Sequence, residues 1–282
     1  MKSGTILLLG ATNSGKSTLI NQIVGQRVSM VSRKKQSTTF NQKAVRNISE
    51  AEFIIQDTPG IFSAKTKISN KMTNTAFSGL DEADIVLVVV DTGVTKNNEL
   101  KKIITTLNQN NNNSKIFLVL NKIDKVNRKS VLEKIKELGD MNLFNEIFPI
   151  SALLGDGVDE MLSIIKNYLP KRKKKFSSKK TLLLKKDIYY TEVTREKIYD
   201  RTHKEIPYEC KVSTDKVVNS KKMITIHQTI HITKKSHKYI LVGNKGVNLK
   251  NIGESARKEI SKFMNKKVNL FLFVKLTSTN KS

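Results

Sequence analysis

The sequence predicts an α/β domain built on a mostly parallel sheet with helices on both faces, followed by a small α+β domain. Three observations carry this reading. Continuous apolar runs alternate with amphipathic segments over the first 170 residues; a Gly-rich turn with Lys and Ser follows the first run; and pattern and charge both change after Pro170. Runs at residues 5–9, 53–56, 85–90, 116–120 and 147–150 are β-branched and leucine-rich, as strands covered on both faces require. A helix is expected from about Lys16, and helical spacing recurs at 99–107, 131–138 and 161–169. Strand and helix in alternation give parallel pairing with crossover helices.

Residues 1–170 are expected as the first domain, 171–188 as an exposed basic linker, and 189–282 as the second domain. The linker reading rests on Pro170 and the run Lys171-Arg172-Lys173-Lys174-Lys175 before two serines. Beyond it, a helix is expected at 191–203. Strands that alternate apolar and polar residues are expected at 208–213 and 223–233, marked by Ile224, Ile226, Ile230 and Ile232, with a lysine-rich hairpin loop at 213–222. A helix at 248–264 and a strand at 268–276 complete the unit.

Charge separates the two parts. The chain has 282 residues, with 51 Lys and Arg against 25 Asp and Glu, a net of +26. Residues 1–170 hold 22 basic and 16 acidic side chains; residues 171–282 hold 29 and 9, a net of +20. A gradient that steep points to a polyanion met by the second part, nucleic acid ahead of an anionic membrane surface. Cys210 is the only cysteine, which excludes an internal disulfide and a cysteine zinc site; its setting reads as a small buried side chain. The N-terminal apolar run is too short for a membrane span and lacks a secretory cleavage site, so a cytosolic location is expected. Aromatic residues are 6% with no Trp, so an aromatic stacking platform is not expected.

Gly10-Ala11-Thr12-Asn13-Ser14-Gly15-Lys16-Ser17 satisfies G-x-x-x-x-G-K-[ST] between a predicted strand and helix. Backbone N–H groups of such a turn cradle phosphate oxygens at a helix N-terminus; Lys16 reaches the outer phosphates and the Ser17 hydroxyl suits Mg²⁺. The nucleotide contacts expected here are Gly10, Asn13, Ser14, Gly15, Lys16, Ser17 and Thr18. Asp57-Thr58-Pro59-Gly60 follows another strand: the carboxylate can hold Mg²⁺ through water and the Gly60 N–H can meet a γ-phosphate, although the same four residues are also ordinary turn chemistry. Asn121-Lys122-Ile123-Asp124 ends a third strand. The Asp124 carboxylate can accept from the ring N–H and the exocyclic amine of guanine, a pair adenine lacks; Asn121 would brace the loop and the Lys122 stem cover the base. Ser151, Ala152 and Leu153 suit a backbone contact to the guanine carbonyl.

This ordered set resembles that of the small bacterial GTPases related to translation factors. Ser32-Arg33-Lys34-Lys35-Gln36-Ser37-Thr38-Thr39 is similar to the first switch of the Era GTPase family. Residues 195–212 and 242–276 resemble the KH RNA-binding domain at the C-terminus of that family. The resemblance implies a P-loop GTPase fold followed by a type II KH domain. It implies GTP and GDP as ligands with Mg²⁺, catalytic roles for Lys16, Thr38, Asp57 and Gly60, and metal ligation by Ser17, Thr38 and Asp57. It also implies action as a monomer on the 3′ end of small-subunit ribosomal RNA in the pre-30S particle, in the cytoplasm, with peripheral contact to the inner membrane. Asn13 matches the asparagine that helps place a monovalent cation, K⁺, in relatives; a surface loop Asn is the bland alternative. Gly243, Asn244, Lys245 and Gly246 match the G-x-x-G turn, whose glycines admit a nucleic-acid backbone and whose Lys245 can meet phosphate.

One position departs from a pattern common among GTPases, and a second from the family's own. Where many GTPases carry a glutamine after Gly60, this chain has Ile61, which cannot orient water, so slow turnover is expected. Thr39 stands where an Arg is usual, and the run Ser37-Thr38-Thr39 leaves the metal-binding hydroxyl open by one place. The competing readings are an RNA-binding module with a structural nucleotide site, a membrane-surface GTPase, and, weakest, an ATPase.

Overall fold

The computed structural model describes residues 1–25, 42–61, 74–94, 98–109, 114–176, 186–202 and 210–277. They fall into two compact units, residues 1–176 in the first and 186–277 in the second. The stretch 32–39, with Thr38, lies outside the described residues.

The first unit runs β1 (Lys2–Gly10), α1 (Lys16–Val24), β2 (Gln42–Ile48), β3 (Ala51–Asp57), β4 (Ile85–Asp91), α2 (Asn98–Gln109), β5 (Lys115–Asn121), α3 (Arg128–Gly139), β6 (Glu146–Ile150) and α4 (Val158–Tyr168). The sheet order is β2-β3-β1-β4-β5-β6. Only β2 is antiparallel to its neighbour. The continuous apolar runs now have a physical reason. Alternate residues of each strand enter different cores: Ile6, Leu8, Leu87 and Val89 pack with Leu19, Ile23, Met161 and Ile165 of α1 and α4. Leu7, Leu9, Val86 and Val88 pack on the other side with Leu100, Ile103 and Leu138 of α2 and α3. A parallel sheet delivers its strand C-termini to one edge, where ligands of such folds sit.

The expected exposed linker is tied down at its start. Glu52, fully buried on β3, accepts from the Ser3 hydroxyl at 2.6 Å and from the N–H groups of Lys175 and Phe176 at 2.8 and 2.9 Å. Arg172 pairs with Asp84 at 3.0 Å. Residues 171–176 are therefore a strap on the first unit, and the following helix begins at Lys186, inside the segment expected to be linker and before the expected residue 191.

The second unit runs α5 (Lys186–Arg201), β7 (Lys211–Asn219), β8 (Met223–Ile232), α6 (Lys235–Val242), α7 (Val247–Met264) and β9 (Lys267–Leu276). β8 is central, antiparallel to β7 and parallel to β9. Its even positions Ile230 and Ile232 join Ile198, Val212, Leu241 and Ile252 in the core. Two expectations need correction here: residues 213–219 are strand rather than hairpin loop, and helix α6 was not anticipated. Phe271 and Phe273 of β9 stand 46% and 55% exposed beside His227. Cys210 is buried, and burial pushes its thiol up to about 11, which makes it a packing residue rather than a reactive one. No helix among the described residues is long and apolar enough to cross a membrane.

Candidate nucleotide site and G-x-x-G turn

The loop between β1 and α1 closes through backbone geometry that its sequence dictates. Gly15 sits at φ 100°, left-handed, and a Cβ there would strike the Asn121 side-chain amide. A larger residue would push apart the two loops that must cooperate. Asn13 also has positive φ, 65°, and is exposed. Lys16 is buried at the start of α1, its Nζ donating to the carbonyls of Gly10 and Ala11 at 3.0 and 2.9 Å. Burial lowers its pKa to about 8, with the Asp57 charge opposing the fall. Ser14 is buried, and its hydroxyl has no hydrogen-bond partner among the described residues. Thr18 is half-buried one position after Ser17.

Asp57 ends β3 within 3.1 Å of the Ser17 hydroxyl, which donates to its Oδ2. A hydroxyl and a carboxylate side by side at a phosphate-type loop form a hard-oxygen pair of the kind Mg²⁺ takes, with phosphate and water completing its shell. These residues fit the ion that the motif implies. Pro59 leads into Gly60 and Ile61, and the latter is bonded in both directions to the phosphate loop: Ile61 N–H to Gly10 O at 3.0 Å, Thr12 N–H to Ile61 O at 3.2 Å.

β5 and β6 supply the side where the guanine contacts are expected. Asn121 donates from its amide to Ser14 O at 2.8 Å and accepts the Ala152 N–H at 2.9 Å, so one side chain joins the phosphate loop to both base-reading loops. Lys122, at φ 68°, sends its ammonium to Asn13 O and to the Asp91 carboxylate, each at 2.6 Å. Asp124 is exposed and accepts the Ser151 hydroxyl at 2.6 Å. Leu153 is 68% exposed just beyond. Asp91 and Thr92 were missed from the sequence. Asp91 ends β4 in register with Asn121, and Thr92, the next residue, donates its N–H and hydroxyl to Asn121 O at 2.9 and 2.8 Å. A carboxylate at the end of a buried strand was the available signal.

In the second unit, a turn at 243–246 joins α6 to α7. Gly243 has φ 73°, and a Cβ there would come within 2.8 Å of Asn248. Asn244 and Lys245 are exposed, Lys245 at φ 48°, and the flanking Tyr239, Ile240 and Val247 are exposed apolar neighbours. Asn248 holds the turn by donating to Ile240 O at 2.9 Å.

Residues 5–122 match the 50S ribosome-binding GTPase family and residues 205–280 the KH domain family. GTPase Era of Bradyrhizobium diazoefficiens is 37% identical over 276 residues, covering 98% of this chain and 89% of the relative. GTPase Era of Syntrophus aciditrophicus is 38% identical over 277 residues, covering 98% and 90%. The chain belongs to the Era GTPase family. Its fold agrees with a crystal structure of Era in complex with MgGDPNP and nucleotides 1506–1542 of 16S ribosomal RNA, at TM-score 0.93 and 32% identity over 99% of this chain and 95% of that one. A crystal structure of an Aquifex aeolicus Era variant bound to GDP and AlF4⁻ matches at TM-score 0.92 and 33% identity, with the same coverage. The two units are thus a P-loop GTPase fold and a type II KH fold.

Two outcomes follow from this Era-type geometry. Replacing Asp124 by Asn turns one acceptor into a donor, so guanine's exocyclic amine loses its partner while xanthine's carbonyl gains one. GTP affinity should fall by about a hundredfold and xanthosine triphosphate should bind better than to the unaltered protein, as read by competition with a fluorescent GDP analogue. Second, a phosphate in this loop would be met by the charged form of Lys16. Below about pH 8 the ammonium is present in the free protein, and affinity should be flat. Above it a proton must be taken up on binding, so affinity should weaken by up to about tenfold by pH 9. An affinity unchanged between pH 7 and 9 would contradict this.

Proposed function

We propose that this chain is a GTP-hydrolysing switch that binds RNA through its second unit and assists assembly of the small ribosomal subunit. One observation carries the reading: Asn121 locks a guanine-reading loop to a phosphate loop, in a chain whose basic second unit presents a G-x-x-G turn. In this reading Lys16, the Gly60 N–H and the loop amides stabilise charge on the transferring phosphoryl group, and Mg²⁺, held by Ser17, Asp57 and Thr38, supplies the remaining positive charge. Gly10, Asn13, Ser14, Gly15 and Thr18 line the phosphates; Lys122, Ser151, Ala152 and Leu153 surround the base. The GTPase part takes in residues 1–170 with the strap at 171–176, and the RNA-binding part starts with α5 at Lys186, ahead of the expected 189–282. The RNA is the 3′ end of small-subunit ribosomal RNA, a choice supported by the 16S fragment bound to the crystallised relative. Action as a cytoplasmic monomer on the pre-30S particle, with peripheral inner-membrane contact through the basic unit, completes it.

Turnover should be slow, because Ile61 offers no group to orient water. Asn13 is the position for a K⁺ ion, and equal hydrolysis rates in sodium and in potassium would remove that role.

The test is RNA binding by the full chain. Gly243 has no room for a side chain, so the informative change is Asn244→Asp with Lys245→Asp, which keeps both glycines and suits the left-handed φ at Lys245. It should weaken binding of a small-subunit 3′-end oligonucleotide at least tenfold and leave GTP hydrolysis unchanged. Undiminished RNA binding would remove the KH role, and failure to hydrolyse GTP in a single turnover would leave a structural nucleotide site.

A further inference from the structure

We propose that the open face of the β7–β8–β9 sheet is a second surface for single-stranded nucleic acid, which bases engage by stacking and which is separate from the 243–246 turn. Residues in register across a sheet share a face, and the buried positions of β8 assign Ile224, Ile226, Ile230 and Ile232 to the helix side. The opposite face carries His227 paired with Phe271, and Thr229 paired with Phe273. The His227 ring lies 4.9 Å from Phe271 at 16° and 6.4 Å from Phe273 at 8°. The result is a set of nearly parallel rings whose two phenyl members are 46% and 55% exposed. Exposed phenyl rings add nothing to a core, and a π-face of this kind is what an unpaired base stacks on.

Charge selects the occupant. Lys216 is in register with His227, Lys211 and Lys275 with His231, and Lys267 with Met223, so four ammonium groups share the face with the rings. Asp215, at the irregularity in β7, is the one carboxylate on the three strands, and it accepts the hydroxyls of Ser213 at 2.9 Å and Thr229 at 2.6 Å. Aromatic rings rimmed by lysines match alternating bases and phosphates. A lipid surface needs no parallel rings, and a second copy of the chain would bring lysines against lysines. The reading is independent of the turn, since it uses strands rather than the α6–α7 junction.

The experiment uses the full chain with Phe271→Leu and Phe273→Leu together, which keep apolar bulk and charge but remove the rings. The probes are a fluorescein-labelled oligoadenylate about twelve nucleotides long and an abasic strand of the same length. The leucine pair should weaken oligoadenylate binding about tenfold, leave abasic binding and the thermal midpoint unchanged, and remove the binding that survives Asn244→Asp with Lys245→Asp. Tyrosine at both positions should restore it. Oligoadenylate binding unaffected by the leucine pair, or lost equally with the abasic strand, overturns the proposal, as does a change confined to self-association or to binding of phosphatidylglycerol vesicles. If the turn variant alone abolishes oligoadenylate binding, the sheet surface is overturned while the KH reading stands.

Discussion

The arrangement depends on the two hydrogen bonds of one side chain, Asn121. Its amide reaches the phosphate loop at Ser14 and its carbonyl oxygen receives Ala152 from the loop after β6, while its own backbone carbonyl takes Thr92. Four segments far apart in sequence meet on a residue that is 2% exposed. Removing the side chain would leave a buried carbonyl and a buried N–H without partners, about 1–3 kcal/mol each. It would also cut the link between the loop at residues 10–17 and the loop after β6. Gly15 is the counterpart of this contact, since the absent Cβ is what lets Asn121 approach. Lys122 then copies the arrangement nearer solvent, bracing Asn13 and Asp91 with one ammonium.

The two units distribute charge differently. In the first, Glu52 clamps the strap at residues 175 and 176, Asp57 offsets part of the burial of Lys16, and half-buried Asp91 answers Lys122. The second also buries charged pairs around α5, Glu192 with Arg195 and Lys197 with Glu196 and Glu259, but its basic excess lies at the surface, which favours a long polyanion over any small ligand. A steep salt dependence belongs with the second unit and a defined stoichiometry with the first.

What could be read from the sequence followed from burial. Strands covered on both faces announce themselves as unbroken apolar runs, and β1, β4 and β5 fell where those runs lie. β2 did not: an edge strand with Arg46 exposed and Asn47 half-buried has no such signature. The greater part of β7, beyond Ser213, was read as loop for a related reason, since its open face carries Ser213, Lys216 and Val218 and the strand contains an irregularity at Thr214 and Lys216. α6 buries only His237 and Leu241, too few to set a period. At the site, the phosphate and guanine motifs were legible because their chemistry fixes residue types at fixed spacing. The Asp91 and Glu52 contacts were not, because each joins positions that only the folded chain brings together. Composition counts the aromatic rings and says nothing of where Phe271 and Phe273 stand.

Ile61 shows that an absence can be structural. Its side chain is fully buried in the core shared by Leu7, Leu9 and Leu80, and its backbone is bonded both ways to the phosphate loop. A glutamine placed there would put an amide among apolar side chains, at a cost of about 1–3 kcal/mol if unpartnered, before it could reach any water. So the position is not a catalytic place left empty but a packing position that holds Asp57 and Gly60 against the loop. Orientation of an attacking water would then have to come from another part of the chain or from a partner, since the packing around Ile61 leaves that position no part in it.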